Sequence, residues 1–178
     1  QPSSDALAGP WKEHVITPGP DVFFHIVDSN ATAGTVSVVA TQFFTPSLTL
    51  TVVDTKSGSL VSYSTIDASL GPGYGIEMVD VNGDGERDLL ITNHEDGSGG
   101  SVYAYHGQGY AQKETLATGF PVVVKGPGAA APGPAYATYP AAVPNATRPY
   151  ILVAGDCAGS AYLLTPSGSR GSVGYLME

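Results

Sequence analysis

Asp80-Val-Asn-Gly-Asp-Gly-Glu-Arg-Asp88, running straight into Leu89-Leu90-Ile91, is the stretch from which the rest of the chain is read. Oxygen-bearing side chains fall at alternate positions 80, 82 and 84, and again at 88. Gly83 and Gly85 tolerate the positive φ that a tight curl needs. A curled loop of alternating carboxylates suits a hard cation such as Ca2+, which takes about six to eight oxygens, backbone carbonyls and water included. On that reading Asp80, Asn82, Asp84 and Asp88 supply side-chain oxygens to one Ca2+, and Glu86 supplies its carbonyl. The first half of the pattern also opens an EF-hand, but that loop needs a bidentate Glu at its twelfth position, where this chain has Ile91. The residues on either side alternate or are β-rich, so the site expected joins strand to strand. A metal-free Asn-Gly-Asp-Gly turn accounts for the glycines but not for the spacing of the acids.

Asp80-x-Asn82-x-Asp84-Gly85-x-x-Asp88-Leu89 resembles the calcium loop of FG-GAP/VCBS repeats. Those repeats build the β-propellers of integrin α-chains and of secreted bacterial and fungal proteins, some of them lectins. The resemblance implies that the loop joins the first two strands of a propeller blade. It covers about a dozen residues, so the rest must come from internal repetition.

Gly19-Pro20 through Asn30 lies over Gly71-Pro72 through Asn82 without a gap, 52 residues on, with the Val-Asp and the Asn coinciding. Val36–Ala40 then falls on Asp88–Thr92. A third copy opens at Gly133-Pro134, 62 residues further, setting Tyr136 on Tyr74 and Ile151–Ala154 on Leu89–Thr92. The Pro/Gly/Ala-rich segment 126–134 absorbs the extra length as an exposed loop. Each copy holds four β-rich runs, expected near 22–27, 35–42, 48–54 and 60–66; 74–79, 87–93, 101–106 and 113–117; and 136–142, 149–154, 160–165 and 172–177. Trp11-Lys-Glu-His14-Val-Ile16 is similar to a strand that often precedes such repeats.

The expected fold is therefore all-β and β-propeller-type. It has about three four-stranded blades (repeats near 19–70, 71–132 and 133–178) plus a leading strand, in one domain spanning 11–178 after a polar tail, 1–10. Three blades do not close a ring of about four to eight. That leaves a piece of a longer propeller, chains that associate to complete one, or a compact β fold of another kind. The cation loop is degenerate in the other copies: Thr32 and Val36 stand for Asp84 and Asp88 in the first, and Ala142, Pro144, Ala146 and Tyr150 replace all four in the third.

The formal charge of −9 argues against nucleic acid and anionic membranes, which call for basic patches. No apolar run approaches the length of a membrane span. Asn30-Ala-Thr32 and Asn145-Ala-Thr147 are N-glycosylation sequons. With a calcium loop they point to a secreted, extracellular glycoprotein, Gln1 fitting an end left by cleavage. Cys157 has no second cysteine in the chain to pair with, so it is either buried and inert or paired with another chain; the apolar run before it favours burial. Gly155-Asp-Cys157-Ala-Gly159 has the spacing of a nucleophile elbow, but that elbow leads into a helix and Ser160–Thr165 reads as a strand. The four histidines are scattered, without zinc spacing. The expectation is a non-enzymatic, calcium-binding recognition module for carbohydrate or an extracellular protein, the Ca2+ being structural. Tyr74 and Tyr136, on the first strand of their blades, are candidate ligand contacts, although such rings are more often core. The alternatives are a self-assembling extracellular protein, or part of a larger carbohydrate-active enzyme.

Overall fold

The computed structural model describes residues 12–17, 22–95, 100–120, 132–138, 148–155, 159–167 and 174–178, with the backbone alone over 132–138. Among the described residues twelve strands form three antiparallel sheets, each a simple meander. The first sheet holds β1 (Val22–Asn30), β2 (Thr35–Gln42), β3 (Ser47–Asp54) and β4 (Leu60–Asp67). The middle sheet holds β5 (Gly73–Val79), β6 (Asp88–Asn93), β7 (Ser101–His106) and β8 (Gln112–Thr118). The third holds β9 (Pro132–Thr138), β10 (Tyr150–Gly155), β11 (Ser160–Pro166) and β12 (Tyr175–Met177). Among the described residues the only helical element is one 3-10 turn, Gln108–Tyr110. The first strands lie together, β5 between β1 and β9. This is the blade arrangement of a propeller-type fold.

Side-chain alternation makes the sheets stack. On the middle sheet Leu89, Ile91 and Tyr105 turn to the first sheet, where they bury Val39 and Leu48. Leu90, Val102 and Ala104 turn the other way and bury Ile151, Val153 and Leu164 of the third. Both faces of β6 are thus covered, and every residue from Asp88 to Asn93 is buried. A strand so placed reads as a continuous apolar run rather than an alternating one, as Leu89-Leu90-Ile91 does.

A bulge in β5 shows how closely the first two sheets meet. Gly73 pairs Asn93, but the next pair is Ile76 with Ile91, leaving Tyr74 and Gly75 outside the ladder. Their backbone groups find side chains instead: Thr41 Oγ1 donates to the Tyr74 carbonyl at 2.9 Å, and the Gly75 N–H donates to Thr92 Oγ1 at 2.7 Å. A Cβ on Gly73 would stand 2.7 Å from Thr41 Cβ, so only glycine allows this approach.

Several expectations need correction. Residues 12–17 form no strand; His14 packs over Gly58, beside the β3–β4 turn, instead of leading a blade. In the third repeat the first strand is Pro132–Thr138, four residues earlier than expected. The prolines suggested a loop, but β9 is an edge strand, where a missing N–H need break no ladder bond. Tyr136 consequently pairs Leu152, the equivalent of Leu90, and so takes the place of Glu77 rather than of Tyr74. In the first repeat a bulge after Ile26 shifts β2 by one residue. Val39, not Val38, therefore occupies the position of Leu90, and Asp28 pairs Ser37 within the ladder. The β1–β2 connection is a short turn over residues 31–34 with no room for a cation loop. The tail, Trp11, the second sequon at Asn145 and Cys157 lie outside the described residues.

Candidate metal centre

The loop between β5 and β6 spans residues 80–87, and its carboxylates organise its backbone. Asp80 accepts the N–H groups of Gly83 (2.7 Å) and Asp84 (3.1 Å) on Oδ1, and that of Gly85 (2.9 Å) on Oδ2. Asn82 Oδ1 accepts the Asp84 N–H at 2.9 Å, while its Nδ2 donates to Asp84 Oδ2 at 2.8 Å. Asp84 Oδ1 accepts the Glu86 N–H at 2.8 Å, which holds its carboxyl below the usual range. Gly83 and Gly85 have φ of 78° and 93°, the curl read from the sequence. These short Asx-type bonds are why Asp and Asn suit a turn of this shape.

Asp88 differs from the others. It begins β6 and is 1% exposed. Its Oδ2 accepts the Val81 N–H at 2.8 Å, closing the base of the loop. His106 Nδ1 lies 2.9 Å from the same oxygen, a close polar contact off the line of a good hydrogen bond. The other ring nitrogen, Nε2, is 2.9 Å from Glu114 Oε2. Arg148, from the segment entering β10, grips Glu114 with two bonds of 2.8 and 3.1 Å. The chain Asp88–His106–Glu114–Arg148 thus runs from the loop, across β7 and β8, to the third sheet. The Glu114 contact holds the His106 imidazolium above its ordinary pKa, against burial. Burial would raise the Glu114 carboxyl, but His106 and Arg148 outweigh it and hold it at about 2.

A matching cluster ties the first two sheets. Asp67, at the end of β4, accepts Tyr105 Oη at 2.7 Å and Lys113 Nζ at 2.9 Å. Its carboxyl stays well below the usual range despite burial, and burial together with Asp67 pushes the Tyr105 phenol up.

As donors, Asp80, Asn82, Asp84 and Asp88 fit a hard cation in kind and in order. In this arrangement their oxygens face the loop's own N–H groups, and among the described residues no three His, Cys, Asp or Glu side chains converge as a ready-made ligand set. A cation would have to exchange with those N–H groups as the partner of Asp80 and Asp84, both on the solvent side. The Glu86 N–H points into the loop, to Asp84 Oδ1.

Beside the loop is a cleft of about 430 Å3, lined by Asp84, Glu86 and Arg87 on one side and by the β7–β8 connection, residues 107–110, on the other. Tyr110 there has a φ of 59°, unusual for a residue with a Cβ. Of the expected ligand contacts, Tyr74 is engaged with Phe23 and Phe43, at ring-centre distances of 5.1 and 6.4 Å. The side chain of Tyr136 lies outside the described residues. Asn30 is exposed at the end of β1, its Oδ1 accepting the Ala33 N–H at 2.8 Å. Gly155 and Ser160 pair across a β10–β11 hairpin, so the elbow-like spacing around Cys157 leads from strand to strand.

His106, Glu114 and Arg148 were not singled out from the sequence. His106 and Glu114 sit on the same face of neighbouring strands, Ala104 pairing Glu114, so a correct hairpin register would have brought the two together. Arg148 comes from another sheet and carries no local signal.

The FG-GAP repeat model matches residues 72–105, from the turn before β5 to the end of β7. Residues 72–105 are an FG-GAP repeat. The cation-type loop lies inside it, between its first two strands. No curated protein matches the chain, and no solved structure does. The first and third sheets repeat the meander of the FG-GAP sheet without its loop acids. Among the described residues no helix is long and apolar enough to cross a membrane.

Proposed function

We propose that the protein is a secreted, non-catalytic recognition module on a propeller-type scaffold, stabilised by one Ca2+ at Asp80, Asn82, Asp84, Glu86 and Asp88. The observation that carries this reading is the loop itself. Four oxygen side chains gather on one short connection between two strands, and a deeply buried Asp88 anchors its base. The cation would neutralise carboxylates that otherwise repel, and would do no chemistry on a substrate. Glu86 would contribute its carbonyl.

The ligand is a carbohydrate or an extracellular protein, and the cleft beside the loop favours carbohydrate. Its walls offer carboxylates, a guanidinium, an amide and one phenol ring, a set suited to hydroxyl groups and a sugar face. Asp84 and Glu86 belong to both loop and cleft, so ordering the loop would shape the cleft. The sequon at exposed Asn30 supports the extracellular assignment.

Thermal melts with millimolar Ca2+ and with EDTA test the cation. Free Ca2+ at a hundred times its Kd adds about 2.7 kcal/mol to stability; coincident melts would remove the calcium reading. A glycan array with and without Ca2+ tests the ligand. Calcium-dependent binding to a defined glycan class supports a lectin-like role, and an array without signal turns the reading toward a protein partner.

A further inference from the structure

The side chains that tie the middle sheet to the third also bear on the cation loop. Three nitrogens crowd one oxygen of Asp88. Its Oδ2 takes the Val81 N–H at 2.8 Å and the Asn82 N–H at 3.4 Å, and His106 Nδ1 stands 2.9 Å away. All three fall on the same oxygen, which leaves Oδ1 to a cation. Asp80 and Asp84 differ: their oxygens hold loop N–H groups that a cation would have to displace. Asp88 is therefore the donor set in advance, and whatever holds its carboxylate holds one corner of the site. His106 is 8% exposed, and its Nδ1, turned to Asp88, lacks a hydrogen bond of good line. A buried nitrogen so placed gains from any turn of the carboxylate that completes the bond.

The ring is held from its other side. Nε2 meets Glu114 Oε2 at 2.9 Å, and Arg148 grips Glu114 at 2.8 and 3.1 Å. Arg148 in turn lies over the Tyr175 ring, 5.8 Å from its centre, and Tyr175 Oη donates to the Pro149 carbonyl at 2.9 Å. The hold on His106 thus belongs to the third sheet. We propose that Glu114 and Arg148 are positioning residues for the cation: through His106 they fix the Asp88 carboxylate, so that docking of the third sheet and uptake of Ca2+ by the 80–88 loop strengthen each other. Groups behind a metal ligand commonly change affinity about 10- to 100-fold, and a coupling of this kind acts equally in both directions. The inference rests on the calcium reading of the loop.

Calorimetric titration with Ca2+, at fixed pH and salt and well below the melting temperature, tests it. Glu114→Gln and Arg148→Met should each weaken binding about tenfold. The double variant should bind scarcely less well than the weaker single one, because both act along one path. A field effect alone would split the pair: losing the Glu114 charge would weaken binding, and losing the Arg148 charge would strengthen it. Lys113→Met controls for lost stability. It breaks the corresponding tie to the first sheet, at Asp67, and should leave affinity within about twofold of wild type. A wild type that takes up no Ca2+ would remove the calcium reading and the inference with it. A wild type that binds, while either variant stays within about twofold of it or the two move in opposite directions, would overturn the inference alone. Should a variant fail to fold, deuterium uptake of the wild type replaces it. Ca2+ should slow exchange along β10 more than along β3 of the first sheet, and equal slowing in the two would overturn the proposal.

Discussion

Replacing Glu114 by Gln keeps the shape of the side chain and removes the charge that holds His106 and Arg148 together. The carboxyl stands at about 2 against an ordinary 4.5. At about 1.4 kcal/mol per pH unit that difference corresponds to roughly 3 kcal/mol of preferential stabilisation of the charged form. The cluster is partly solvated, and screening reduces the expected loss to about 2 kcal/mol at pH 7. In a chain of this size that lowers the melting temperature by about 4–8 °C. The pH dependence follows from the direction of the shift. A carboxyl depressed in the folded state contributes in full above its unfolded value, and the contribution is lost as the pH falls from about 4.5 towards 2. Urea melts of wild type and Glu114→Gln should accordingly differ most at pH 7, and by less than half as much at pH 3. A variant within 0.5 kcal/mol of wild type at pH 7, or a difference as large at pH 3 as at pH 7, would show that the cluster does not join the middle sheet to the third.

Leu90→Ala empties a fully buried position between the middle and third sheets and should cost about 2–5 kcal/mol, read from the urea midpoint. Gly73→Ala drives a methyl against Thr41 Cβ and should cost about 1–3 kcal/mol, read from the urea midpoint. Asp84→Ala should abolish the difference between calcium and EDTA melts while leaving the β-sheet spectrum intact; a difference of wild-type size would remove Asp84 from the ligand set. Lys113→Met takes away one of the donors to Asp67, so that carboxyl is held down less firmly; urea melts should show lower stability at pH 7 and a smaller further loss on acidification, complete at higher pH than in wild type.

Much of the strand pattern was legible because it depends on local chemistry. Runs such as Leu48-Thr-Leu-Thr-Val52 are β-branched or aliphatic and end in turn residues, and both middle strands of each sheet fell within two residues of expectation. What failed depended on partners. Pro132 and Pro134 looked like loop residues because a proline's place at a sheet edge is set by the neighbouring strand, not by its own sequence. The one-residue shift of β2 came from a bulge, which adds a residue without adding a signal. The acids of the 80–88 loop were legible as a set because their spacing is short-range. Their anchoring through His106 to Arg148 was not, since it needs the register of β7 and β8 and the approach of a third sheet.

The double burial of β6 sets how the molecule should open. Its amide protons can reach water only when the sheets on both sides separate, so deuterium uptake there should track global unfolding. Uptake along β4, with its exposed run Leu60–Thr65, should follow local fraying at far lower cost. One strand of six residues would then act as the gauge of the whole assembly.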